Sequence, residues 1–255
     1  MKEAFLVINI VCWNIQYGQN FNEILFHLKN SLSADIYMLQ EVDKNTSRTN
    51  FQDVANDLAS SLHITHIWSR EFRELSQGST KKTYTGQAIL SKFKMKLLKN
   101  LYFRHQPISW SPSIFNPRSW FEPRYGKRMA QIIEIIAANQ KVIIANTHLE
   151  SSLTDDKIAP QMKELLDYLN KNFYGSDIII AGDLNTWSGS DSPVIKMLRD
   201  YGFRNAYDGI STGRSLDWIF YRGNQLSIHS PLKIRNDINA TDHHPLQVSF
   251  KITPR

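Results

Sequence analysis

Apolar positions along this chain fall mostly into short β-branched runs, separated by a few stripes of helical period. Ala4–Trp13 (AFLVINIVCW) is the first such run and leads straight into Asn14, which predicts a strand with a polar residue at its mouth. Phe21–Leu32 carries apolar residues at 21, 24, 25, 28 and 32, the spacing of an amphipathic helix. Asp35–Leu39 reads as a strand running into Gln40-Glu41, Val54–Leu62 as a helix, and Ile64–Trp68 and Thr85–Ser91 as strands. Met129–Ala137 and Lys141–Thr147 form a predicted hairpin turning at Ala138-Asn139-Gln140. Ser151–Asp156 loops out before a helix with apolar positions 162, 165, 166 and 169, and Pro160 suits its first turn, where a missing N–H costs nothing. Ile178–Trp187 (IIIAGDLNTW) is a buried strand closed by a Gly-Asp-x-Asn turn. A helix near Val194–Arg199 and strands at 216–221, 225–229 and 246–252 complete the pattern. Many strands with a few interspersed helices predict an α+β fold. Its form is a four-layer α/β/β/α sandwich, two mostly antiparallel sheets packed face to face with helices outside.

Leu101–Lys127 breaks the pattern, with four prolines, two tryptophans and four arginines or lysines but no clean period. It reads as a long surface loop, and loops of that length inside a compact fold are often functional. Lys81-Lys82 and Lys92–Lys99 read as solvated charge. No repeat or linker divides the chain, so residues 1–255 are expected to form one domain with a substrate-facing loop at about 101–127.

Composition narrows the classes. At 42% hydrophobic and 21% charged, with 11 Gly and 9 Pro, the chain is ordinary globular material. Cys12 is its single cysteine, so no internal disulfide exists. Thirty basic against 24 acidic residues give +6, a bias toward polyanionic partners. Apolar runs of 18 residues are absent, and Phe5–Ile10 is too short for a leader's apolar region and contains Asn9. Cytoplasm is the default expectation, secretion the alternative, and a monomer the expected state.

Several predicted strands end in, or run straight into, a group that carries chemistry. Asn14, Glu41 (LQE), His148 (NTHLES), Asp183 and Asn185 (GDLN), Asp217 (SLDWIF), and Asp242 with His243 (TDHHP) are placed in this way. Singly, each has an ordinary reading as an Asx turn, a solvated strand end or a core histidine. Together, hard oxygen donors suit Mg²⁺ or Mn²⁺, and there is no cysteine cluster or close histidine pair for structural zinc. Histidine paired with aspartate accepts protons near neutral pH, and amides stabilise charge on phosphoryl oxygens. Metal-assisted phosphoester hydrolysis is the reaction class that fits.

WN, LQE, THLE, GDLNT, LDWIF and TDHHP, in this order from Trp13 to Pro245, resemble the endonuclease/exonuclease/phosphatase superfamily. That resemblance implies a deoxyribonuclease I-like two-sheet sandwich and phosphoester hydrolysis with Mg²⁺ or Mn²⁺. It implies Glu41, Asn14 and Asp242 on the metal side and Asp183 and Asn185 at the water and the phosphate. His148 is then a phosphate contact and Asp217–His243 a dyad, with either Asp183 or His243 as the base. His148 stands where abasic-site endonucleases carry tyrosine, so the resemblance runs instead to deoxyribonuclease-like, 5′-tyrosyl-DNA phosphodiesterase, sphingomyelinase and phosphoinositide phosphatase branches. Many of those carry Arg before the helix glutamine, Gln161, where this chain has Lys157 and Pro160.

Aromatics alternate with cations in the 101–127 region and just beyond, among them Trp110, Phe115, Trp120, Phe121, Tyr125, Arg118, Arg124, Lys127 and Arg128. Trp120, Arg124 and Arg128 are the expected substrate-binding residues. Stacking rings beside phosphate-binding cations favour a nucleic-acid phosphodiester. A lipid headgroup substrate is the alternative, and a catalytically silent binding module is a third reading.

Overall fold

The computed structural model describes residues 5–78, 82–114, 116, 118–151, 154–207 and 216–254. Ala4, Lys81, Phe115, the Arg118 side chain and the middle of the expected 151–156 loop lie outside the described residues. The chain runs β1 (Leu6–Tyr17), α1 (Phe21–Asn30), β2 (Ile36–Lys44), α2 (Val54–Leu62), β3 (Thr65–Glu74), β4 (Thr83–Ser91) and β5 (Met95–Tyr102). A short α3 (Arg118–Phe121) and β6 (Arg124–Gly126) precede the hairpin of β7 (Met129–Ala137) and β8 (Gln140–His148). Next come α4 (Ala159–Phe173), β9 (Asp177–Asp183), α5 (Pro193–Asp200) and β10 (Arg204–Asn205). The last strands are β11 (Asp217–Arg222), β12 (Leu226–Ile234) and β13 (Leu246–Ile252).

One sheet is ordered β12-β13-β1-β2-β4-β3-β6 and the other β10-β11-β9-β8-β7-β5. Two neighbouring pairs are parallel, β1 with β2 and β8 with β9, and the other ladders are antiparallel. The expected four-layer sandwich is the fold. Alternate residues of β1 divide its core: Ile8, Ile10 and Cys12 face the second sheet, while Val11, Trp13 and Ile15 face α1 and α2. Central strands such as β9 are apolar on both faces because the other sheet covers one and α4 and α5 cover the other. Fully burying each such isoleucine contributes ~1.5–3 kcal/mol.

Charge hides the true extent of two strands. Met95–Tyr102 is the edge strand β5, paired with β7, although its lysines point to solvent as expected. Lysine on an edge strand discourages pairing with another chain, which gives a run of charge and a strand in the same residues. β3 continues past Trp68 to Glu74, because Glu71 and Glu74 are buried against arginines from elsewhere rather than solvated. The expected 101–127 loop is likewise not uniform. It starts inside β5, buries Phe103 and Trp110, and contains α3 and β6.

Candidate active site

Register builds the site. His148, Asp183 and Asp217 lie opposite one another on β8, β9 and β11, so their side chains project in one row from the second sheet. Close approach of β8 to β9 depends on Gly182, where a Cβ would meet the Thr147 carbonyl oxygen at 1.7 Å. The first sheet contributes Asn14 and Glu41 from the ends of the parallel strands β1 and β2. Both strands are irregular there, and Gln16 and Glu41 adopt left-handed backbone with φ of 46° and 51°. Asn185 does so too, at φ 50°. Non-glycine residues held in that region store strain of about 1–3 kcal/mol each, and such strain clusters at functional sites.

The other letters of the motifs are mechanical. Trp13 donates its indole N–H to Thr241 Oγ1 and to the His243 carbonyl, clamping the loop that carries His243 onto β1. Trp218 does the same for the GDLNT turn by donating to Thr186 Oγ1. Gln40 donates to Asn146 Oδ1 at 2.6 Å, and Asn146 donates to the Leu39 carbonyl at 3.0 Å. That pair joins the two sheets through a fully buried polar bridge, so the rows on opposite sheets are held in register with each other. Gln161 accepts from the Glu150 N–H and donates to the His105 carbonyl, tying α4 to the end of the THLE segment.

Asp183 is the centre. Its Oδ2 lies 3.1 Å from Asn14 Nδ2, 3.3 Å from His148 Nε2 and 3.7 Å from His243 Nε2, while Oδ1 accepts the Asn185 N–H. Asn185 is fixed in turn by donating its amide to the Leu149 carbonyl. Burial, reinforced by Asp217, raises Asp183 to about 7. His243 Nδ1 lies 2.7 Å from Asp217 Oδ2. Burial works against a charge on this ring, but Asp217 and then Asp183 outweigh it and raise His243 to about 10.

His148 has the opposite electrostatics. Arg128 lies 2.9 Å from its Nδ1, and a guanidinium can only donate. Nδ1 must therefore be the acceptor, which leaves the proton on Nε2, facing Asp183. Burial, with Arg128 behind it, pushes His148 well below the ordinary imidazole range. The ring is a neutral donor of fixed tautomer, while His243 is a charged one.

Each expected substrate contact can now be placed. Arg128 is buried, 3.4 Å from Glu71 and 3.5 Å from Glu150. Glu71 is raised to about 7 by burial, opposed chiefly by Arg128. Arg124 is also buried, paired with Glu122 at 2.6 Å and lying over the Trp110 and Phe72 rings. Trp120 is exposed at 63%. Asp242 is exposed, and its charge favours protonated His243. Glu71 carries no sequence signal that marks it as a site residue, whereas Glu150 is the last letter of THLE and Trp110 lies in the aromatic 101–127 region. Trp110 donates to Glu150, and Glu150 faces Arg128.

The donor set fits a hard divalent cation. Burial pushes the Glu41 carboxyl up, and the nearby Asp183 and Asp217 carboxylates present oxygens within 4.8 Å of each other, whereas His243, held charged by Asp217, offers a donor rather than a ligand. Crowded, desolvated carboxylates of this kind gain most from a cation.

Known proteins share the fold and parts of the sequence. The UPF0294 protein of Photorhabdus laumondii is 29% identical over 134 residues, covering 50% of this chain and 49% of the relative. This chain thus spans about half the length of the curated relatives it matches. A structure from Beutenbergia cavernae, described as an endonuclease/exonuclease/phosphatase, superposes with a TM-score of 0.70 at 14% identity, covering 97% of this chain and 72% of that one. The human nocturnin catalytic domain superposes at 0.69 and 18% identity, covering 99% and 98%. At such identities these likenesses establish the fold. The family model of the Endonuclease/Exonuclease/phosphatase family matches residues 11–243, almost the whole span of the motifs, and this chain belongs to that family.

Proposed function

We propose that this chain is a divalent-metal-dependent phosphodiesterase, acting by water attack at phosphorus on a nucleic-acid substrate. The observation that carries the reading is the convergence of Asn14, His148 and His243 nitrogens on one oxygen of Asp183. Glu41, with Asn14 beside it, would hold Mg²⁺ or Mn²⁺, and Asp242 lies near enough to add charge. Such an ion polarises the phosphoryl group and offsets the charge that develops on it.

The chain's own residues divide the remaining work. Asp183, poised at about 7, is the acceptor for the proton of the attacking water, and the Asn185 N–H fixes its orientation. His148 offers a neutral N–H and His243 a charged one to the non-bridging phosphoryl oxygens. Asp217 keeps His243 charged and correctly turned. Arg128 does the equivalent for His148 by occupying Nδ1. This differs from the expectation that Arg128 binds substrate directly: its buried guanidinium acts through the histidine.

A lipid phosphoester is the second reading, favoured by the exposure of Ile114 (76%), Trp120 (63%) and Phe121 (85%). The test is hydrolysis of bis-p-nitrophenyl phosphate with Mg²⁺, with Mn²⁺ and with excess EDTA. Metal-dependent release of nitrophenol is expected, and turnover that survives full chelation overturns the mechanism. A parallel panel of single- and double-stranded DNA, RNA, 5′-tyrosyl DNA, sphingomyelin and phosphoinositides separates the two substrate classes.

A further inference from the structure

Beside the site, β3 and β6 at the edge of the seven-stranded sheet form a cleft with Tyr102, from the end of β5 in the other sheet. Its volume is about 450 Å³, within the ~300–1,000 Å³ of small-ligand sites. Arg70, Arg73 and Lys127 are its cations and are all exposed. Among the described residues none of the three is in an ion pair. Tyr102 and Tyr125 supply rings exposed at 40% and 63%. Glu71 is the one carboxylate in the lining, and it is buried and turned toward Gln87 and Arg128. Among the described lining residues, no exposed carboxylate faces these cations.

The cleft is built into the backbone. Gly126 forms part of its lining because β6 lies so close to β3 that a Cβ there would meet the Glu71 carbonyl oxygen at 2.0 Å. Tyr102 is pinned by donating its hydroxyl to the Arg70 carbonyl at 2.8 Å. The same two segments carry cleft residues and the residues behind His148. Glu71, between Arg70 and Arg73, pairs with Arg128, which follows Lys127 and reaches His148 Nδ1. A ligand in the cleft is thus held at a fixed offset from the catalytic row.

We infer that this cleft is a subsite for one nucleotide of a single-stranded nucleic acid, next to the nucleotide whose phosphodiester is cut; the inference rests on the phosphodiesterase reading above. Rings with an exposed face stack an unpaired base, and Arg73 and Lys127, with Arg70 over the Tyr84 ring, supply cations for its flanking phosphates. The exposed aliphatic and indole side chains that would suit a lipid surface, Ile114 and Trp120, are absent from its lining.

The experiment uses the full chain and a fluorescein-labelled single-stranded ten-thymidine DNA. Binding is followed by anisotropy in EDTA, and bis-p-nitrophenyl phosphate hydrolysis is followed separately in Mg²⁺. Arg73→Glu with Lys127→Glu is expected to weaken oligonucleotide binding at least ~10-fold and to reduce the log–log salt slope by about 1.4, ~0.7 for each phosphate that the chain no longer neutralises. Tyr125→Ala is expected to weaken it about tenfold by removing the stacking ring, with the salt slope unchanged. Hydrolysis of the small ester should match wild type in both variants, which also reports correct folding. Unchanged oligonucleotide affinity and slope overturn the inference. So does binding to phosphatidylglycerol vesicles that depends on these residues while the oligonucleotide is ignored. A wild-type chain that fails to hydrolyse the ester, yet binds the oligonucleotide through these residues, instead refutes the phosphodiesterase reading and leaves the cleft standing as a binding site.

Discussion

Replacing Asp217 by Asn keeps the shape of the His243 partner and removes its charge. The wild-type ring is raised from 6.5 to about 10 because Asp217, 2.7 Å from Nδ1, and Asp183, 3.7 Å from Nε2, outweigh burial. That gap is ~3.5 units at ~1.36 kcal/mol each, ~5 kcal/mol in all, and the larger part, ~3–5 kcal/mol, is assigned to Asp217 as the closer charge. In Asp217→Asn the ring should titrate ~2–4 units lower, between about 6 and 8. Folding stability should follow. A group whose folded pKa lies above its unfolded value adds stability that is complete below the unfolded pKa and disappears as pH rises through the folded one. The wild-type advantage over Asp217→Asn should therefore be full near pH 6 and decline steadily toward pH 10. Ring NMR titration of the chelator-treated proteins and urea denaturation at pH 6, 8 and 10 measure both quantities. A wild-type His243 that titrates near 6.5, or a stability difference that is flat across this range, refutes the reasoning.

Arg128→Gln should lose the fixed tautomer of His148, so nitrogen NMR that finds Nε2 protonated and Nδ1 bare in wild type should find a mixture in the variant. The same change leaves Glu71 and Glu150 buried without their cation and should cost ~3–5 kcal/mol in denaturant unfolding. Asp183→Asn should lower the chemical step on bis-p-nitrophenyl phosphate by at least ~10²-fold, and near-normal turnover would remove Asp183 as the proton acceptor. Gly182→Ala forces β8 and β9 apart and should destabilise the fold by more than ~4 kcal/mol while scattering the catalytic row; a variant as stable and active as wild type contradicts the register account.

The residues of the row are legible in the sequence because strand ends and motif letters coincide. Asp183, Asp217 and His148 each close or open an apolar run, and periodicity alone places them at strand mouths. Their partners are not legible, since Glu71 sits 57 positions from the Arg128 it holds and Gln40 lies 106 from Asn146. Buried polar pairs of this kind look in sequence like surface charge, which is why the apolar pattern ends β3 at Trp68. Arg124 and Arg128 have partners that are equally illegible. Their place in an aromatic, cationic stretch suggests contact with substrate, whereas the carboxylates that bury them come from β3, from Glu122 and from the end of β8. Arg48, lying 3.6 Å over the Tyr17 ring and paired with Asp43, is another support that no local pattern signals.

The central claim is that this cluster directs water onto phosphorus with the aid of a divalent cation. Hydrolysis of bis-p-nitrophenyl phosphate in ¹⁸O-water with Mg²⁺, read by the isotope shift in ³¹P NMR, tests it most directly. One labelled oxygen is expected in each p-nitrophenyl phosphate formed, with no product in EDTA and at least ~10²-fold less from Asp183→Asn. Unlabelled product, or label that accumulates equally in EDTA, would contradict it.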